Sequence, residues 1–273
     1  MRKRTVAIVT LGIAALIWMA VVEPLALNAE RMQFNAFGGN TPAVKIVHFT
    51  DVHAAYYYPG YVEKLVAKIN VETPDLVLIT GDVTNGGSDD ANAVAVYSAI
   101  KSKYGVYAIL GNHDYGRWGC PLRPESLETA GKIKESLKAA GVTVLENENR
   151  ILEINGKKMA LAGVGDEWAC RNDLEKALEG IAPSTPTIIM AHEPTIIKRE
   201  FAGKNLVLSG HTHCGQVRIP IVTNVILEHT GFGKVIRGTA AIGSSSLMYV
   251  SCGVTPGLLR LNTPTQYAVI DLT

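Results

Sequence analysis

The chain has 273 residues, 47% of them hydrophobic and 19% charged, with a formal net charge of +1. That is enough apolar material for one sizeable α/β domain or two small ones, and it describes a packed globule. With no basic block beyond the N-terminus and no aromatic-rich basic stripe, the charge distribution argues against a polyanion or nucleic-acid surface.

The N-terminus stands apart from the rest. MRKR is followed by TVAIVTLGIAALIWMAVV, in which Val6 to Val22 carries no charge, and Glu23 and Pro24 close the run. This is about the minimum length for a spanning helix. A cleaved signal peptide would also have a basic start and an apolar centre. The apolar run is longer than the usual signal core and no convincing A-x-A site follows it, so an uncleaved anchor is the favoured reading. Arg2, Lys3 and Arg4 then stay in the cytoplasm and everything after residue 23 lies on the outer face. The expected division is an anchor or signal sequence over 1–22, a linker over 23–43 around FGGNTP, and a catalytic domain over 44–273.

Beyond the linker the chain adopts a βα rhythm. Val44 to Thr50 reads as a buried strand, Tyr61 to Val71 as a helix with Val62, Leu65, Val66 and Ile69 on one face, and Leu76 to Thr80 as a second strand. A helix near Ala91 to Ile100, a strand at Val106 to Leu110 and a helix near Ser126 to Ala140 continue the pattern. ILEINGKKMALAGV reads as a hairpin turning at Asn155 and Gly156, and the apolar runs TIIM and LVLS come next. From Val217 onward the sequence looks richer in strand and ends in YAVIDL. The expected class is α/β with layered sheets and helices. Cys120, Cys170, Cys214 and Cys252 show no C-x-x-C spacing. They are open to one or two bridges in an oxidising compartment, or to service as four unpaired small side chains.

The residues just past each strand carry the chemistry. Asp51 and His53 come after the first strand, Gly81 and Asp82 after the second, and Gly111, Asn112, His113 and Asp114 after the third; His192 comes after TIIM, and His211 and His213 after LVLS. Ligands bind in the crevice outside the carboxyl ends of parallel strands, so residues far apart in sequence can converge there. Taken singly, Asp51 reads as a cap, Asn112 as a turn residue and His192 as a core histidine. Five such coincidences at five strand ends read as a site. Oxygen and imidazole donors without thiolate suit Mn, Fe or Zn, with Mn favoured, and more candidates than one ion needs suggest two ions.

The ordered motifs DVH, GD, GNHD, AH and GHTH resemble the signature of calcineurin-like metallophosphoesterases. The anchor followed by EP, VLEN at 144–147, AGVGD at 162–166 and GHTHCGQ make the chain similar to membrane-anchored bacterial phosphodiesterases of that superfamily. The resemblance implies a four-layered sandwich of two mixed sheets flanked by helices and a two-metal site in which a metal-bridging hydroxide attacks phosphorus in line. It also implies that Asp51, His53, Asp82 and His213 hold one ion and Asp82, Asn112, His192 and His211 the other. His113 is then left to approach the leaving group, with Asp114 as its orienting partner. The implied setting is the outer side of a bacterial cytoplasmic membrane and the implied substrate a phosphodiester. A phosphomonoester, a diacylglucosamine nucleotide pyrophosphatase reaction and a non-catalytic metal-bound scaffold are the alternatives. Ala54, Ala55 and Cys214 stand where relatives often have glycine, and Cys252 where they commonly have arginine, so one positive charge toward phosphate is expected to be missing. By the same resemblance Cys214 and Cys252 both lie at the metal-bearing edge, where a bridge between them is one open outcome.

Overall fold

The structure, a computed structural model, describes residues 2–35, 37–38, 41–54, 60–86, 90–116, 120–219, 222–223, 235–257 and 259–273. Ala55 and part of the segment after Val217 lie outside this set. The chain begins with α1 (Arg2–Ile17), which passes through a π turn, Trp18–Val22, into α2 (Glu23–Leu25). Lys3–Leu25 is one helix of 23 residues, long and apolar enough to cross a membrane, and its most apolar window is 0% buried.

The segment expected to be a linker is part of the fold. β1 (Asn28–Phe34) pairs in parallel with β12 (Gln266–Leu272), from Asn28 opposite Gln266 to Phe34 opposite Leu272. β12 in turn runs antiparallel to β2 (Val44–Phe49). The remaining elements are α3 (Tyr61–Val71), β3 (Leu76–Thr80), β4 (Val106–Ile109), α4 (Pro124–Ala139), β5 (Val142–Val144), β6 (Glu148–Ile154), β7 (Lys157–Gly163), α5 (Leu174–Ala177), β8 (Thr187–Met190), β9 (Asn205–Ser209), β10 (Gly238–Ile242) and β11 (Ser246–Val250). Among the described residues they complete two six-stranded sheets, ordered β1-β12-β2-β3-β4-β5 and β10-β11-β9-β8-β7-β6. The helix expected near Ala91 to Ile100 is a 3₁₀ helix, Asp90–Ala99.

Side-chain alternation along the strands sets the layers. Val44 and Ile46, Leu76 and Leu78, Ile188 and Met190, and Leu206 and Leu208 all belong to the core between the two sheets. Their neighbours Val47, Phe49, Val77 and Ile79 face outward onto Tyr61, Leu65 and Ile69 of α3 and Ile133 and Leu137 of α4. Ile189, Val207, Met248 and Val250 form the outer face of the second sheet, covered by Ala177 of α5 and Ile196. Strands buried on both faces explain why their sequences are continuous apolar runs. Removing any one of these large side chains from water contributes about 1.5–3 kcal/mol. The result is the expected four-layered α/β sandwich, with a thin outer layer on the second sheet.

Candidate metal centre

Parallel pairing of β2 with β3 and β3 with β4, and of β8 with β9, brings the ends of five strands to one edge. The chain must then turn sharply while pointing polar side chains inward. Asp51, His53, Asp82, His211 and His213 all adopt positive φ, between 44° and 68°. Such backbone is unfavourable for residues with a Cβ and tends to collect at functional sites. Glycine makes the close approach feasible: a Cβ on Gly111 would sit 2.4 Å from Asp82 Oδ1, and one on Gly210 2.4 Å from Asp51 Oδ2.

The candidate residues converge in overlapping groups. Asp51, His53 and His213 form one, Asp82, His192 and His211 another, and His53, Asp82 and His113 a third between them, each with ligand atoms within 4.8 Å of one another. Asp51 Oδ1 is 3.6 Å from His213 Nε2 and 4.0 Å from His53 Nε2. Asp82 Oδ2 is 3.5 Å from His53 Nε2 and 3.2 Å from His192 Nε2. Asn112 joins through Oδ1, which lies 3.2 Å from His211 Nδ1. All seven residues expected as ligands are therefore in one cluster, and His113 lies nearer to it than a bystander would.

Charge and protonation fit a cation. His192 Nδ1 lies 2.7 Å from the Thr80 carbonyl oxygen, an acceptor only, so this nitrogen carries the proton and Nε2 presents its lone pair. That lone pair faces the Asp82 carboxylate, an arrangement of two acceptors that requires a positive charge between or upon them. A proton on Nε2 is one way to supply it. Burial opposes a charged His192, but Asp82, by charge and hydrogen bond, and Asp51 outweigh it and raise its pKa well above the usual value. Burial lowers His53 and His211 to about 4 and holds His213 well below its usual value, so these imidazoles are neutral, the form that binds metal. A divalent ion answers the same demand for positive charge with more donors.

The surroundings correct one expected role and add others. His113 Nδ1 pairs with Asn85 Oδ1 at 2.9 Å, and its backbone N–H donates to Asp82 Oδ1 at 2.9 Å. Asp114, the expected orienting partner of that imidazole, does something else. Its carboxylate accepts from Gly111 N, Val83 N, Thr84 N and Thr84 Oγ1, at 2.8 to 3.3 Å, and so joins the loops after β3 and β4. Trp168 and His211 meet in a T-shaped contact, ring centroids 4.4 Å apart. The Glu193 carboxylate holds that loop by accepting from Glu167 N and Trp168 N.

All four cysteines are paired, Cys120 with Cys170 and Cys214 with Cys252. The second bridge fastens the His213 loop to the segment after β11. Thr255 Oγ1 in that segment donates to the Asp51 carbonyl oxygen. A guanidinium also stands nearby: Arg260 is fully buried and donates to the carbonyl oxygens of Cys252 and Thr263. Its hydrogen bonds hold backbone. Asn85, Trp168 and Arg260 are not anticipated from the sequence, although Asn85 and Trp168 come only a few residues after GD and AGVGD.

Known proteins are similar to this chain over much of its length. YaeI, a phosphodiesterase of Escherichia coli K12, is 31% identical over 262 residues, covering 93% of this chain and 92% of its own length. YkuE, an uncharacterized metallophosphoesterase of Bacillus subtilis, is 31% identical over 223 residues, 80% of this chain and 73% of its own. A Bos taurus transmembrane protein with a metallophosphoesterase domain is 28% identical over 271 residues, and the chain spans only 58% of that longer relative. Residues 44–215 match the calcineurin-like phosphoesterase family, and on the strength of that match and these relatives the chain belongs to it.

Proposed function

We propose that the chain is a two-metal phosphodiesterase held at a membrane by its N-terminal helix. The observation that carries this reading is the position of Asp82, whose Oδ2 lies 3.5 Å from His53 Nε2 on one side and 3.2 Å from His192 Nε2 on the other. Asp51, His53, Asp82 and His213 would hold one divalent ion, and Asp82, Asn112, His192 and His211 the second. Oxygen and imidazole donors favour Mn, with Fe or Zn as the alternatives. When bound, such ions supply Lewis acidity at the phosphoryl group and a nucleophile at neutral pH.

The chain's own residues do the rest. His113 stands at the edge of the ligand cluster with Nδ1 on Asn85, which directs the other ring nitrogen to the leaving-group oxygen as a proton donor. Asp114 and Thr84 keep the His113 loop in register with Asp82. A diester preference is supported by the phosphodiesterase relative that matches over nearly its whole length. Basic residues at the N-terminal end of the helix and two disulfides after it favour the outer side of a cytoplasmic membrane. That side is the wrong one for a cytoplasmic lipid-precursor reaction.

The test is the full chain in detergent, loaded with manganese, analysed for metal and assayed on paired mono- and diesters. Two metals per chain and faster hydrolysis of bis(p-nitrophenyl) phosphate than of p-nitrophenyl phosphate are expected. Two bound metals without turnover of any ester would leave a scaffold.

A further inference from the structure

The helix is joined to the catalytic fold by a set of specific bonds. Glu23, at its exit turn, is buried, and its carboxylate accepts from the backbone N–H groups of Asn262 and Thr263 at 3.0 and 3.1 Å and from Trp18 Nε1 at 2.9 Å. Thr265 Oγ1 donates to the Pro24 carbonyl oxygen at 3.0 Å, and Arg260 N donates to that of Met19 at 2.9 Å. A removable leader has no need of a buried carboxylate wired into the C-terminal segment of the domain it leaves. A free tether has no need of it either.

The segment that receives the helix is also the segment that holds the metal edge. Leu261 N donates to the Gln216 carbonyl oxygen at 3.0 Å, and Gln216 is three residues from His213. Cys252, bridged to Cys214, accepts from the same Arg260 whose N–H is on Met19. The path from Met19 to His213 is at most roughly 25 Å long by chain and hydrogen-bond dimensions. A helix of 23 residues, about 34 Å, spans a bilayer core of about 30 Å, so Glu23 lies near the interface at the exit end, with Trp18 and Met19 about one turn further in. On the same two loops Ile219, Val222 and Leu259 are large apolar side chains about half exposed, at 50%, 50% and 51%. Arg237, exposed, donates to the Asn262 carbonyl oxygen there, a cation at the depth of anionic headgroups.

We infer that the helix is a rigid mount that sets the metal edge against the bilayer, with Ile219, Val222 and Leu259 dipping into it, and that the substrate is an amphiphilic phosphodiester residing in that same leaflet. This rests on the phosphodiesterase reading above. Apolar loop tips and a headgroup-depth cation beside a diester-cleaving site are what a lipid-borne substrate requires, because the scissile phosphate then sits at interface height and need not leave the membrane.

Two measurements test it on the full chain in phosphatidylcholine vesicles. Leu259→Trp and Ile219→Trp should each add fluorescence quenched by brominated phospholipids, whereas Val71→Trp, at the far end of α3 from the site, should add none. Loop tryptophans no more quenched than the one at Val71 would overturn the placement, whatever covers the loops instead. The double variant Ile219→Glu, Leu259→Glu should keep its rate on soluble bis(p-nitrophenyl) phosphate within twofold and lose at least tenfold on a fluorescent phosphodiester lipid in the bilayer. An equal loss on both substrates, or no loss on either, would overturn the substrate class. Absence of soluble-diester activity in the unaltered chain would instead be a failure of the phosphodiesterase reading, and quenching would still decide the placement.

Discussion

Asp82 and His192 face each other across 3.2 Å with both side chains buried, and the second oxygen of Asp82 accepts the backbone N–H of His113. One carboxylate thus touches both halves of the candidate metal cluster and the loop of the candidate acid. Its loss removes a shared ligand and a loop anchor together. Asp82→Ala is expected to abolish turnover and to reduce bound metal well below two per chain by elemental analysis. Two metals retained in the variant would contradict the bridging role.

His113 makes a different prediction, because each ion of the proposed pair has four ligands without it. His113→Ala should lower the rate on diesters with poor leaving groups by roughly 10² to 10⁴, the usual size of a general-acid contribution, with metal content near that of the unaltered protein. The loss should shrink for p-nitrophenolate, which leaves without a proton. Asn85→Ala should produce a smaller loss with the same leaving-group dependence, since it removes the partner of His113 Nδ1. Equal losses for good and poor leaving groups would mean that His113 binds phosphate by charge.

The candidate ligand positions are legible in the sequence because they follow apolar runs, and the geometry of a parallel sheet carries such ends to one edge whatever their separation along the chain. β1 is not legible. NAERMQF at the sheet edge has a half-exposed burial pattern, so it lacks the apolar alternation that marks a strand, and only its pairing with Gln266–Leu272 reveals it. Arg260 is hidden for a related reason: its partners, the carbonyl oxygens of Cys252 and Thr263, are backbone atoms whose position no residue type announces. Asp114 shows the opposite failure. Adjacency in GNHD suggests a partner for His113, but a carboxylate next in sequence points elsewhere in a 3₁₀ turn and ties Thr84 and Gly111.

His48 gives a stability prediction away from the metal residues. Its ring is fully buried, with Nε2 on Thr80 Oγ1 at 2.8 Å, and burial lowers its pKa from 6.5 to about 3. The native state therefore holds it neutral while the unfolded chain takes up a proton below pH 6.5. Its contribution to stability is intact above pH 6.5 and is lost as pH falls toward 3, at about 1.4 kcal/mol per pH unit. Replacing it with Leu should cut the drop in unfolding free energy between pH 7.5 and pH 5 by about 2 kcal/mol relative to the unaltered chain, measured by denaturant titration. The other buried histidines act alike in both proteins and cancel. Identical drops would show that His48 is protonated or exposed in the native state.

Orientation in the membrane is open to a direct test. A reporter that fluoresces only in the cytoplasm, fused after Thr273, should be dark in a bacterial host, and protease added to cells with opened outer layers should digest the catalytic domain. The basis is the charge asymmetry of Arg2, Lys3 and Arg4 before the apolar run and Glu23 after it. A bright reporter would reverse the orientation, and the cysteines would then be expected as reducible thiols in the cell.

The Cys214–Cys252 bridge lies between a metal-ligand candidate and the segment that braces Asp51. Cys214 follows His213 directly, and the chain after Cys252 places Thr255 Oγ1 on the Asp51 carbonyl oxygen and Val254 N on that of Thr50. Opening the bridge frees the His213 loop without removing a strand or emptying the core between the sheets. Reduction should therefore weaken metal retention while leaving the far-ultraviolet circular dichroism unchanged. Cys214→Ser, Cys252→Ser should reproduce both effects in the absence of reductant, which separates this bridge from Cys120–Cys170. Intact mass after alkylation without reductant gives the independent check. Labelling of both Cys214 and Cys252 in the native protein would show that no bridge forms, and the two side chains would then serve only to fill space beside the metal edge.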